Sequence, residues 1–159
     1  MINLQLPILQ VVIPLLGAPV CALIHSARLA WALSVALVWL SFGVALALFQ
    51  QSWFGGYVSY EIGGWPPPWG IEYRIDILNS FVLLLVSGMA AVVLPFAGRS
   101  IEAELQDDRI PLFYAALLLC YTGLLGITVT GDAFNVFVFL EISSLSTYAM
   151  IALGRDRRA

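Results

Sequence analysis

The chain has 159 residues, 61% of them hydrophobic and 11% charged, with a mean hydropathy of +0.93. A chain this short has too much surface to hide so much apolar matter in a soluble core, and soluble domains average about 25% charged residues. The net charge is −3, all seven basic residues are arginines, and none clusters with aromatics, so nucleic-acid binding has no footing.

Uncharged runs organise the chain. Residues 1–24, 29–60, 77–98 and 110–131 carry no Asp, Glu, Lys or Arg. A spanning helix needs about 20 mostly apolar residues. The runs predict transmembrane helices at about 4–24, 29–50, 77–98 and 111–130, and a fifth at about 132–153 interrupted only by Glu141. The first run has no basic n-region, and its apolar part is longer than a signal peptide's, so it reads as a retained anchor. Pro7, Pro14 and Pro19 are expected to start or kink it, leaving carbonyls for neighbouring helices to satisfy.

The arginines predict an orientation. With five spans, Arg28, Arg99, Arg109, Arg155, Arg157 and Arg158 share one side, and only Arg74 falls opposite. The positive-inside rule then puts the N-terminus outside and the C-terminus inside. The outside loop, 51–76, has two β-favouring stretches, 57–62 and 71–75, separated by Gly63-Gly64 and Pro66-Pro67-Pro68-Trp69-Gly70. That pattern predicts a short β-hairpin on the membrane surface. Trp53, Tyr57, Tyr60, Trp65, Trp69 and Tyr73 suit the headgroup level, a reading preferred here to carbohydrate binding. The inside loop "GRSIEAELQDDRIP" lacks the ligand alternation and central glycine of a calcium loop and reads as a solvated connector.

Cys21 and Cys120 lie far apart in apolar runs, and His25 has no Cys or His beside it, so neither a disulfide framework nor a metal site is indicated. The cysteines read as small buried hydrophobes. No Ser–His–Asp set, CxxC or HExxH is present, and Asp132 and Asp156, near the ends of the fifth helix, are far from Glu141. Catalysis by this chain's own residues is not expected, and no cofactor is implied.

The fifth helix carries the chemistry. Gly131 ends the fourth helix and Asp132 is the expected cap of the next. Nine residues separate Asp132 from Glu141, a rise of about 13.5 Å. The hydrocarbon core is about 30 Å thick, so Glu141 falls near its middle. An acid there costs at least ~2.5–3.5 kcal/mol on insertion scales, and a low dielectric favours its neutral form unless a cation is near. Helical spacing puts Ser144 and Tyr148 on its face, flanked by Phe134, Phe137, Val138 and Leu145, while Asn135, Ser143, Ser146 and Thr147 point elsewhere. Glu141 is then either a proton-handling residue or a structural acid bonded to another helix. No basic residue lies within the first four spans as drawn, so its partner is water, a hydroxyl or a cation from another polypeptide.

The stretches "GGWPPPWGIEYRIDILNSFVLLLVSGMAAVVLPFA" and "YTGLLGITVTGDAFNVFVFLEISSLSTYAMIALGRDRR" closely resemble the N-terminal region of the D subunit of Mrp-type multisubunit Na+/H+ antiporters. More distantly they resemble antiporter-like membrane subunits of respiratory complex I and membrane-bound hydrogenases. The resemblance covers about Tyr57 to Arg158; residues 1–50 are compatible but carry no sharp motif. It implies a subunit of a monovalent cation (Na+)/proton antiporter or of a complex I-like redox assembly in the bacterial inner membrane, partnered by lipid and other subunits. It also implies that Glu141 matches a proton-handling glutamate paired with a lysine on the seventh helix. Family members have about fourteen helices arranged around two inverted repeats. This chain would supply the three preceding helices and the first two of the first repeat, so the lysine-bearing helices are expected from elsewhere and Glu141 is expected to face outward.

Overall fold

The computed structural model describes residues 5–65 and 69–154. It contains five helices long and apolar enough to cross a membrane: α1 (Leu6–Leu23), α2 (Ala27–Gly55), α3 (Ile77–Glu104), α4 (Ile110–Val129) and α5 (Ala133–Leu153). Two short strands, β1 (Val58–Glu61) and β2 (Glu72–Ile75), pair antiparallel between α2 and α3, with Val58 opposite Ile75 and Glu61 opposite Glu72. The predicted chain of five spans with one hairpin is therefore the observed architecture. Pro66–Pro68, Arg155, Asp156, Arg157 and Arg158, on which the turn and part of the charge argument rested, lie outside the described residues.

Two helices are longer than the apolar runs predict. α2 continues to Gly55, and α3 continues through Arg99 to Glu104. Apolarity marks where a helix can meet lipid, not where its backbone must stop. Glu, Arg and Ala are good helix formers, and 99–104 contains no glycine or proline. The solvated connector thus shrinks to the residues around Leu105–Arg109. Pro7 sits at the start of α1, while Pro14 and Pro19 lie inside it.

α4 occupies the centre of the bundle: 56% of its apolar window is buried, against 11% for α5. It packs on α1, α2, α3 and α5. Glycines make the close approaches. A Cβ on Gly123 would lie 2.7 Å from the Phe139 carbonyl oxygen and from the Ser143 Cβ, and one on Gly126 would strike the Phe139 ring. Small residues let helix backbones come together where lipid offers no hydrophobic drive for association. On the other side of α4, Gly17 of α1 receives the side chain of Leu37 from α2 and lies beside Leu118 of α4. Trp31 of α2 donates its indole N–H to the Leu94 carbonyl of α3 at 3.4 Å, passing close over Gly98.

The hairpin is docked on the bundle. Its inward side chains, Tyr73 and Ile75, are buried, so Tyr73 is a core residue and not a headgroup anchor. Trp53, Tyr57, Trp65 and Trp69 are exposed as expected of anchors. Thr130 forms a bridge with Tyr73, and the Gly131 N–H donates to the Glu72 carbonyl at 2.9 Å. The α4–α5 turn thereby adds to the edge of β2. Gly63 and Gly64, at φ of 73° and 74°, take the left-handed conformation that turns the chain beyond β1. Asp76 caps α3 by accepting from the Asn79 N–H at 2.8 Å. Asp132 caps α5, accepting from the Phe134 and Asn135 amides at 3.4 and 3.3 Å.

Two outcomes follow from this packing. Gly126→Val overfills the α4–α5 seam and should lower stability by about 1–3 kcal/mol, read as a lower thermal unfolding midpoint in detergent. Gly43→Ala, with nothing within 4 Å of the added carbon, should leave it unchanged or raise it. Asp132→Ala should cost about 1 kcal/mol in the same assay, and Asp132→Asn far less.

Candidate functional site

The rotation of α5 decides what its polar residues can do. The side packed on α4 carries Asn135, Phe139 and Ser146, all buried, with Ile142, Ser143 and Thr147 partly buried. The residues that the helical wheel sets apart from Glu141 are thus the ones that meet α4. Cys120 of α4 sits 3.7 Å from the Ser143 Oγ and 3.4 Å from the Thr147 Oγ1. Thr147 also donates to the Ser143 carbonyl at 2.9 Å, and Ser146 to the Ile142 carbonyl at 2.6 Å. At the capped end, Asn135 donates through Nδ2 to the Thr130 Oγ1 at 3.1 Å. Burial pushes the phenol of Tyr73 in the hairpin above its ordinary range, with a smaller opposing effect of Asn135 beside it.

Glu141, Ser144 and Tyr148 fall on the opposite side, and all three are exposed. Phe134, Phe137, Leu140, Leu145 and Ile151 surround them and are exposed as well. Glu141, Ser144 and Tyr148 thus share a face of α5 that, among the described residues, none of the other four helices covers. Glu141 stands eight residues from the start of a 21-residue helix. That is a rise of about 12 Å in about 31 Å, close to mid-helix. Arg28 and Arg99 belong to α2 and α3, but they lie at the end of the bundle remote from the hairpin, level with neither the middle of α5 nor its open face.

Above this face, at the hairpin end, a recess is lined by Trp69, Gly70, Ile71, Glu72, Gly131, Asp132 and Phe134. Asp132 thus has two settings at once, as the cap of α5 and as a carboxylate on the recess wall. Glu72 accepts from the Ser59 hydroxyl at 2.5 Å. Among the described residues no group of three His, Cys, Asp or Glu side chains is placed to hold a metal ion.

Sequence reasoning missed the seam contacts of Cys120, which is half-buried and meets two hydroxyls where an inert hydrophobe was expected. The signal was present: Gly123 and Gly126, three apart, mark the face of α4 that another helix approaches, and Cys120 is one further step along it.

No protein-family model matches the chain. It is 42% identical over 157 residues to the N subunit of the NADH-quinone oxidoreductase of Desulforudis audaxviator, a match covering 96% of this chain and 31% of that protein. It is 32% identical over 120 residues to the D subunit of the Na(+)/H(+) antiporter of Alkalihalophilus pseudofirmus, covering 76% of this chain and 23% of that one. Its fold superposes on a chain of the Mrp complex from Dietzia sp. with a TM-score of 0.81 and 27% identity, over 94% of this chain and 27% of the other. The chain thus spans about a third or less of the length of the relatives it matches. By sequence and by fold, this multi-pass membrane chain corresponds to the N-terminal part of the group that contains the D subunits of Mrp-type Na+/H+ antiporters and the N subunits of NADH-quinone oxidoreductases.

Proposed function

We propose that the chain is part of a membrane subunit of a multisubunit antiporter exchanging a monovalent cation, Na+ in the first instance, for protons, with Glu141 as its protonatable relay. The observation that carries this reading is the placement of one carboxylate near the middle of α5, on the face left open by the other four helices. An ionisable side chain at that depth is costly and is retained where it serves an ion pathway. Its openness suits a partner from outside this chain. The lysine of the seventh helix implied by the family resemblance is the expected one, since a nearby cation favours the charged carboxylate and its withdrawal favours proton uptake.

In this reading Ser144 and Tyr148, one and two turns further along the same stripe, supply hydroxyls that pass a proton toward or away from Glu141. Asp132 and the seam with α4 are positioning groups: they hold the start and the rotation of α5. The N-terminus lies outside, the end of α5 inside, and the membrane is the bacterial inner membrane. The partners are lipid, the helices carrying the lysine, and the other subunits of the assembly.

A second reading is favoured by the 42% identity to an NADH-quinone oxidoreductase subunit. The same relay would then serve a redox-driven proton pump. Inverted vesicles carrying the complete complex distinguish the two. A pH gradient collapsed by added Na+ supports the antiporter, whereas one built up only on NADH addition supports the pump.

Glu141→Gln in the assembled complex should reduce transport by at least about tenfold, the scale on which loss of an essential proton carrier acts. Subunit composition by affinity purification should stay unchanged. Normal transport in this variant removes the relay role and leaves Glu141 a structural acid. For topology, Cys21 and Cys120 are first replaced by Ala. A cysteine at Trp65 should then react with an impermeant maleimide in intact cells, and one at His25 only after permeabilisation. The reverse pattern overturns the orientation.

A further inference from the structure

Away from α5, the interior holds polar groups that neither the fold nor the relay uses. Gln10 of α1 is completely buried, and both its amide nitrogen and its amide oxygen lack a hydrogen-bond partner. Four residues on stands Pro14, also buried. A proline has no N–H to give, so the Gln10 carbonyl loses its helical donor as well. Three polar atoms of one residue are thus left without their usual partners at one point of a membrane-spanning helix. An unsatisfied buried amide costs several kcal/mol in hydrocarbon, so native structures pair such groups with protein or with ordered water.

Two more unpaired groups lie nearby. Ser41 of α2 and Tyr121 of α4 are buried, and their hydroxyls face one another without reaching hydrogen-bond geometry. Their height relative to Gln10 follows from the packing. Gly17 of α1 abuts Leu37 of α2 and Leu118 of α4, and α1 runs antiparallel to both. Gln10 is seven residues back from that level, about 10.5 Å. Ser41 and Tyr121 are four and three residues beyond it in the same direction, about 6 and 4.5 Å. The axial offset is therefore about 5 Å, and between helix axes about 8–10 Å apart the Gln10 and Tyr121 side chains together with one or two waters, at hydrogen-bond lengths of about 2.8 Å, span the remainder.

We propose that α1, α2 and α4 enclose an internal water site, in which one or two waters bond the Gln10 side chain and its freed carbonyl to the Ser41 and Tyr121 hydroxyls. No side chain of another polypeptide reaches it, because Gln10 and Ser41 are both fully buried. A buried water typically makes about three hydrogen bonds, and these four groups supply that number. The site lies across α4 from the open face of α5, so it is separate from the relay. Its role is to let α1 keep Pro14 and a buried amide within the membrane.

X-ray radiolytic footprinting of the full-length subunit in its membrane complex, in 18O-labelled water, tests this. Hydroxyl radicals formed from a bound water modify the side chains beside it even when those are buried. Tyr121, whose ring takes up the radical itself, should incorporate 18O and Pro14 should be oxidised, and Gln10→Leu should reduce both severalfold while exposed Trp69 stays unchanged. Unmodified Tyr121 and Pro14 in the wild type, at doses that modify Trp69, overturn the site. So does incorporation that persists undiminished in Gln10→Leu. The wild-type arm alone can refute the proposal if the variant fails to fold, and Gln10→Met, closer in length and flexibility, then replaces it in the second arm.

Discussion

The contact between the glycine face of α4 and the Phe139–Ser143 segment of α5 governs the rest of this structure. With Gly123 and Gly126 bare of side chains, the α5 backbone comes near enough for its carbonyl oxygen at Phe139 to occupy the space of a Cβ. So close an approach fixes the rotation of α5 as well as its distance. A helix held at Phe139, Ser143, Ser146 and Thr147 must present Glu141, Ser144 and Tyr148 the other way, because these sets lie on opposite sides of a 3.6-residue turn. The open position of the carboxylate is thus a packing consequence of two glycines on a different helix.

A second constraint fixes α5 along its axis. The α4–α5 turn is tied to β2 by the Thr130–Tyr73 bridge and by the Gly131 N–H to the Glu72 carbonyl. The next residue, Asp132, caps the helix. Backbone hydrogen bonds to a strand edge set height to within a residue, and a residue is about 1.5 Å of helix. The hairpin, formed between α2 and α3, therefore sets the height of Glu141 along the bundle, in a helix distant from it in sequence. The recess above α5, walled by residues of both, is the visible sign of that link.

The number of spans, the hairpin, the Asp132 cap and the Glu141 stripe were legible in the sequence because each rests on local chemistry: an uncharged run, a turn between β-branched and aromatic stretches, a short acid before an apolar helix, a period of 3.6. Boundaries were less legible, since the charged residues 99–104 belong to α3 by propensity and to the solvent by polarity. Tyr73 was misplaced for a related reason. A strand alternates its side chains, and composition marks an aromatic for the interface without saying which side of the hairpin meets the bundle. Which helices touch α5 was not legible at all. A wheel shows that Ser143 and Glu141 differ in direction; only the tertiary contact with Cys120 shows which direction is inward.

The interior hydroxyls sharpen what counts as a polar site in such a bundle. Ser87 donates to the Leu83 carbonyl, Thr122 to Leu118, Ser146 to Ile142 and Thr147 to Ser143, each four residues back in its own helix. A short side chain satisfies itself this way at little cost, so a run of serines and threonines through a membrane helix is not evidence of a pathway. Longer side chains have no such recourse in these helices. Gln10 meets no carbonyl of its own turn, and the outward carboxylate of Glu141 accepts nothing from its own backbone, whose amides are held by the helix. Each needs something the five helices do not provide. For Gln10, sealed among α1, α2 and α4, that can only be a small molecule such as water. For Glu141, open on the far side of α5, the proposed relay role supplies it as a partner that brings a charge of its own.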